Sequence, residues 1–240
     1  MKIRKMQKGF TLIEMSIVLV IVGLIIGGIL AGEDILENSK RISIVSQLQK
    51  YKSAYESFKE KYYSPPGDMS DAESAWGASK TNNGDGDGLI TSSGSEDYLA
   101  WQHLALAGFI NGYYSGALTA ITNVNIGVDI PEAPYTKTGY RMIRDEAKIL
   151  FKTNSVQFGR YRSGSDMDNG ALTPKQALNI DEKIDDRNPS EGQLITISGY
   201  DIHHTRCVIA GDAGDEDDTY AVSIKTRDCI LIYYLDQTQQ

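Results

Sequence analysis

The stretch KGFTLIEMSIVLVIVGLIIGGILA, residues 8–31, governs how the rest of the chain is read. After Gly9, residues 10–31 form a 22-residue run in which Glu14 is the only charge. As a helix this run is about 33 Å long, enough to cross a hydrocarbon core of about 30 Å. Before it stand Lys2, Arg4, Lys5 and Lys8, all positive; soon after it come Glu33, Asp34 and Glu37. Cytoplasmic flanks carry the excess of Lys and Arg, so the N-terminus is expected in the cytoplasm and the bulk of the chain outside. A cleaved secretory signal has a shorter apolar region, of about 7–15 residues, ending at an A-x-A-like site. Here Ala31 is preceded two positions earlier by bulky Ile29, and the lack of a Cys just after the segment disfavours a lipoprotein anchor.

The 240 residues hold 24 Lys+Arg against 32 Asp+Glu, and 41% are hydrophobic. These averages exclude a disordered tail, a collagen-like repeat and a polytopic membrane protein. The formal net charge is −8; taking away the +4 of residues 1–9 leaves −12 on residues 10–240. Phosphates are repelled by such a surface, so nucleic acid is not expected as a primary ligand.

Glu14 lies four residues into the apolar run, where an ionised carboxylate costs several kcal/mol on insertion scales. One reading is that it snorkels to the interface. The other rests on its neighbours: Lys8-Gly9-Phe10-Thr11-Leu12-Ile13-Glu14 followed by unbroken apolar sequence. This resembles the processing site of type IV prepilins and type II secretion pseudopilins, in which a basic leader ends in Gly, Phe follows, and Glu is fifth in the mature chain. The resemblance covers about 30 residues. It implies cleavage between Gly9 and Phe10 by a prepilin peptidase, N-methylation of Phe10, and assembly with other pilin or pseudopilin subunits. It also implies a role for Glu14, neutralising the Phe10 amine of a neighbouring subunit. A buried ammonium and a buried carboxylate each need a partner, and docking would satisfy both while setting the axial register.

From Glu33 to Tyr62 there is neither Pro nor Gly. Apolar positions Ile42, Val45, Leu48, Tyr51, Tyr55, Phe58 and Tyr62 predict an amphipathic continuation of the helix, which Pro65-Pro66-Gly67 stops. Ser70-Asp71-Ala72-Glu73 and Ser93-Gly94-Ser95-Glu96 have capping-box spacing and predict helix starts. Thr173-Pro174-Lys175-Gln176 predicts a further helix over about 174–186. Strands are expected at 139–144 and 147–153, paired as a hairpin, and then in VQFGRY, QLITIS, TYAVSIK and CILIYYL. The predicted organisation is a leader (1–9), an N-terminal helix (10–62; 10–31 transmembrane, 32–62 amphipathic) and an extracytoplasmic globular head (63–240). This is an α+β layout, the pilin-like fold that the resemblance implies: a long helix packed on a head with an antiparallel sheet.

In the head, Asn83, Asp85 and Asp87 occupy positions 1, 3 and 5 of an EF-hand-like loop, with Gly88 at position 6 and Ile90 at position 8. Gly94 stands where the bidentate Glu belongs. A calcium ion is expected on Asn83, Asp85, Asp87, the Leu89 carbonyl and one of Glu96 or Asp97; the bland alternative is a solvated Asn/Gly/Asp turn. Calcium also orders loops in some members of the resembled family. The acidic run from Asp212 to Asp218 is read as a solvated loop, with a second cation site or a partner surface as the sharper reading. Cys207 and Cys229 are the only cysteines, and on the outer side of the membrane they are expected to form a disulfide.

Catalysis has little support. Adjacent His203 and His204 would face opposite sides of a strand, Cys207 has an expected partner, and His103 reads as a core residue. The chain is therefore expected to be a non-enzymatic subunit of a type IV pilus or type II secretion pseudopilus. It would be held in a bacterial inner membrane, head outward in the periplasm, before assembly into a filament. The alternative is a single-pass anchored binding or adhesion module, calcium-dependent or not, that forms no filament.

Overall fold

A computed structural model describes residues 9–116, 123–144, 153–162, 167–199, 206–209 and 218–236. The chain divides into two compact units, residues 1–40 and 41–240. Helix α1 runs from Leu12 to Tyr62 and contributes to both.

In the first unit the described residues are almost wholly helix, and the large apolar side chains from Phe10 to Leu36 are exposed. The helix is long and apolar enough to cross a membrane. Backbone satisfaction favours a helix in lipid, since every N–H and C=O from the second turn on is paired within the segment.

In the second unit the inner face of α1 carries Ile44, Leu48, Tyr51, Ala54, Tyr55 and Phe58, all buried. The expected stripe differs at its start: Ile42 is exposed and Ile44 is fully buried. Three successive spacings of three residues fall short of the 3.6-residue turn by about 60° each, so Ile42 lies about 180° around the helix from Tyr51. The helix ends where Tyr63 takes a positive φ of 56° and Pro65-Pro66 removes two donors.

Among the described residues three further α-helices follow, α2 (Ala72–Trp76), α3 (Glu96–Leu106) and α4 (Pro174–Ile184). Only α4 begins with the expected box: Thr173 Oγ1 accepts from Gln176 N–H and the Gln176 side chain accepts from Thr173 N–H. Neither Asp71 nor Ser95, the N-caps of α2 and α3, makes a side-chain cap bond. The Ser93–Ser95 segment is instead a short 3₁₀ turn, and Glu96 is called away to bind the preceding loop.

The strands among the described residues are β1 (Thr138–Arg144), β2 (Asn154–Arg160), β3 (Leu194–Ser198), β4 (Val208–Ile209), β5 (Thr219–Tyr220) and β6 (Cys229–Tyr234). Four of them form an antiparallel sheet in the order β1-β2-β6-β3, with Tyr140 opposite Phe158 and Val156 opposite Tyr233. The partner of β1 is thus β2. Residues 145–152, which hold nearly all of the expected 147–153 strand, lie outside the described residues. β4 and β5 pair as a separate two-stranded ribbon; the expected TYAVSIK strand keeps only its first two residues.

Tyr140, Met142, Val156, Phe158, Leu231 and Tyr233 join the α1 stripe and Trp101 of α3 in one core. Tyr51 meets the rings of Trp101 and Tyr140 edge-on, at centroid distances of 4.8 and 5.1 Å, an arrangement favoured by ring quadrupoles. Ile195, Ile232 and Tyr234 alternate to the other face, where they form a small second cluster. The segment just after β6 is tied back to α1: Asp236 accepts from Tyr55 Oη at 3.0 Å and from Lys59 Nζ at 2.6 Å. Buried His103 is held neutral between Gly67 N–H, which donates to Nδ1 at 3.0 Å, and Thr81 Oγ1, 3.0 Å from Nε2; burial pushes its pKa down to about 4.

Candidate functional site

Gly9 and Phe10 precede α1 without regular structure, and the Phe10 side chain is 80% exposed. Thr11 is the residue just before the helix. Its N–H and Oγ1 donate to Glu14 Oε2 at 2.8 and 2.7 Å, while Glu14 N–H approaches Thr11 Oγ1 at 3.3 Å. This is a reciprocal capping box, Thr-x-x-Glu, that satisfies two orphan donors at the helix start. The same spacing in Thr11-Leu12-Ile13-Glu14 was there to be read from the sequence, but an apolar run draws attention to its length and not to its first turn. Glu14 thus has a local partner: its charge is neighboured by the positive end of the helix dipole and by a hydroxyl.

The oxygen-rich loop is organised differently from an EF-hand. Asp68, distant in sequence and 1% exposed, is brought beside Asp85 and Asp87, with one carboxylate oxygen of each within 4.8 Å of the others. Asp68 accepts from Gly86 N–H at 2.8 Å and from Gly88 N–H at 2.9 Å. Asp85 accepts from Asp87 N–H, and Asp87 from Leu89 N–H, each two residues on. Of the six expected ligands, Asp85 and Asp87 belong to this group. Asn83 points its Oδ1 to Glu73 N–H at 2.8 Å. Glu96 accepts from Asp85 N–H and from both the N–H and hydroxyl of Thr91. Asp97 is fully buried against Arg141, whose Nε and Nη2 both donate to Oδ2 at 2.8 Å. Burial raises the pKa of Asp97, and the Arg141 charge pulls against it. Burial likewise pushes Asp68 up to about 6, opposed by the two glycine N–H groups and helped by the Glu96 and Asp87 charges. Asp68 carries no sequence signal for this role, because only the fold closes the gap to residue 85.

Cys207 and Cys229 form a disulfide with Cα atoms 5.2 Å apart, and both sulfurs are buried. The bridge joins the residue before β4 to the first residue of β6. Asp218, at the end of the acidic run, accepts a hydrogen bond from Ser190 Oγ; residues 210–217 and His203 and His204 lie outside the described residues. A second carboxylate group, Asp181, Asp185 and Asp186, sits at the C-terminal end of α4. It has no loop-like motif to announce it.

Residues 4–30 match the family model of the prokaryotic N-terminal methylation motif. They carry the prepilin-type cleavage and methylation signature. No curated protein and no solved structure matches the chain. The long apolar helix followed by an antiparallel sheet is a pilin-like α+β layout.

Proposed function

We propose that this chain is a structural subunit of a type IV pilus or type II secretion pseudopilus. It is cleaved between Gly9 and Phe10, methylated on Phe10, and assembled through α1. In this reading residues 1–9 are the leader, 10–62 the assembly helix and 63–240 the head outside the inner membrane. The observation that carries the proposal is the signature at residues 4–30 placed directly against a membrane-length apolar helix whose one early charge is Glu14. Its working partners are then the prepilin peptidase that also methylates, and neighbouring subunits of the same or related chains.

The chemistry follows from two charges in an apolar medium. Cleavage creates an ammonium on Phe10, and an unpaired ion in lipid costs several kcal/mol. While the subunit waits in the membrane, Thr11 shields the Glu14 carboxylate. On assembly the ammonium of an adjacent subunit takes over that carboxylate, so both charges are satisfied in one step. The helix face of exposed Ile, Leu and Val then packs on its neighbours.

A divalent cation on the head is part of the proposal, with Asp68 replacing Asn83 beside Asp85 and Asp87. Its support is that the fold collects these three carboxylates from two separate segments.

The test is Glu14→Val expressed in a host with the matching assembly machinery. Intact mass spectrometry should find a chain starting at methyl-Phe10 in both wild type and variant, while only wild type enters sheared filaments. Retention of Met1 in the wild-type chain would favour the anchored binding module instead, and normal filament entry by the variant would refute the role of Glu14.

A further inference from the structure

We propose that Asp181, Asp185 and Asp186 bind a hard divalent cation at the C-terminal end of α4, a site separate from the loop of Asp85 and Asp87. One carboxylate oxygen from each lies within 4.8 Å of the others. Three like charges at this separation repel one another, and no described Lys or Arg forms an ion pair with any of them. Arg187, the nearest cation in sequence, is turned to Glu182.

Asp181 distinguishes this group from an ordinary acidic surface. It is fully buried; Oδ2 accepts from Tyr220 Oη at 2.7 Å, but Oδ1 accepts no hydrogen bond. The Arg187 backbone N–H is close enough to favour the charged form, without completing a hydrogen bond to Oδ1. A buried carboxylate oxygen without a partner is costly, the more so when charged. Burial, with the Asp186 and Asp185 charges, pushes Asp181 up to about 6. A cation held among the three carboxylates cancels their repulsion and supplies the buried Asp181 carboxylate with a counter-charge.

The other two carboxylates are held ready. Asp185 Oδ2 accepts from Leu194 N–H at 3.0 Å and from Gln193 N–H, an approach that Gly192 permits because a side chain there would overlap the carboxylate. Asp186 accepts from Asn188 N–H at 2.8 Å and stays exposed, which leaves an entry path. All-oxygen ligands select a hard cation, and an irregular set at a helix end suits Ca²⁺ better than Mg²⁺, which demands near-octahedral geometry. The loop of Asp68, Asp85 and Asp87 lacks the corresponding feature, since both oxygens of its buried member accept backbone N–H groups.

The test is isothermal titration of the full chain in detergent, stripped with chelator, with CaCl₂ and MgCl₂. The Asp85→Asn/Asp87→Asn background removes the loop group, so binding that remains reports this site alone. A single Ca²⁺ site with a Kd of about 0.1–1 mM is expected there. Adding Asp181→Asn, or the exposed and structurally milder Asp186→Asn, should weaken it more than about tenfold. No Ca²⁺ uptake by the Asp85→Asn/Asp87→Asn chain up to about 10 mM would overturn the proposal, as would unchanged affinity in both added variants. Loss of binding in wild type on Asp85→Asn/Asp87→Asn alone would credit the loop and overturn this site.

Discussion

Removing the Cys207–Cys229 bridge should weaken the head by an amount that its chain position sets. The two residues are 22 apart in sequence. In the chain-entropy model a closed loop of that length restricts the unfolded chain by about 11 cal/mol/K, or about 3.4 kcal/mol at 25 °C. The Cys207→Ala/Cys229→Ala variant avoids burying free thiols or hydroxyls where both sulfurs are buried. Urea unfolding of the detergent-solubilised chain, followed by fluorescence of Trp76 and Trp101, measures the effect; both rings belong to the aromatic packing of the head. With a urea slope of about 2 kcal/mol/M, the midpoint should fall by about 1.7 M. Reducing agent should move wild type toward the variant and leave the variant unmoved. A midpoint shift under about 0.5 M, with an unchanged slope, would refute the idea that this loop's closure stabilises the head.

Arg141→Met should strand the buried Asp97 carboxylate and destabilise the head by about 3–5 kcal/mol, measured by thermal unfolding; Asp97→Asn added to it should recover part of the loss. His103 gives a pH signature. Its folded pKa, about 4 against an ordinary 6.5, means the unfolded chain binds more protons between those values. Its stabilising contribution is therefore complete above about pH 6.5 and lost as pH falls toward 4, which His103→Gln should abolish in a stability-versus-pH series. Asp68 and Asp181, both raised to about 6 from 3.8, act with the opposite sign: their contribution is full below about pH 4 and lost as pH rises through 6. Thr11→Val should leave cleavage at Gly9 intact while lowering the amount of chain inserted in the membrane, since Glu14 keeps the backbone N–H of residue 11 but loses the hydroxyl donor; quantitative membrane fractionation checks this.

Elements fixed by local chemistry were legible from residues alone. The α1 boundary at Tyr62 follows from a Pro-free, Gly-free run ended by Pro65-Pro66, and α4 follows from a true capping box with Pro at its first turn. Ser93-Gly94-Ser95-Glu96 has the same spacing yet caps nothing, because the Glu96 carboxylate binds Thr91 and Asp85, groups outside the four residues of the motif. Pairing in the sheet was less legible. Adjacent apolar runs invite a hairpin, but β1 finds its partner at Asn154–Arg160. The acidic sites divide the same way. Asp85 and Asp87 announce themselves by alternation with Gly, whereas Asp68 and Asp181 are selected by burial, a tertiary property that carries no local pattern.

The strand order β1-β2-β6-β3 places β6, the last of the described strands, between two earlier ones. β2 and β3 both precede β6 in the sequence, so they have no shared neighbour until residues 229–234 take their place between them. The same residues bring Cys229 to its bridge and, two positions further on, Asp236 to Tyr55 and Lys59. Completion of the sheet therefore waits on residues 229–236. A chain clipped before β6 would keep α1 yet leave β2 and β3 with open edges, the unpaired strand surface from which misassociation starts.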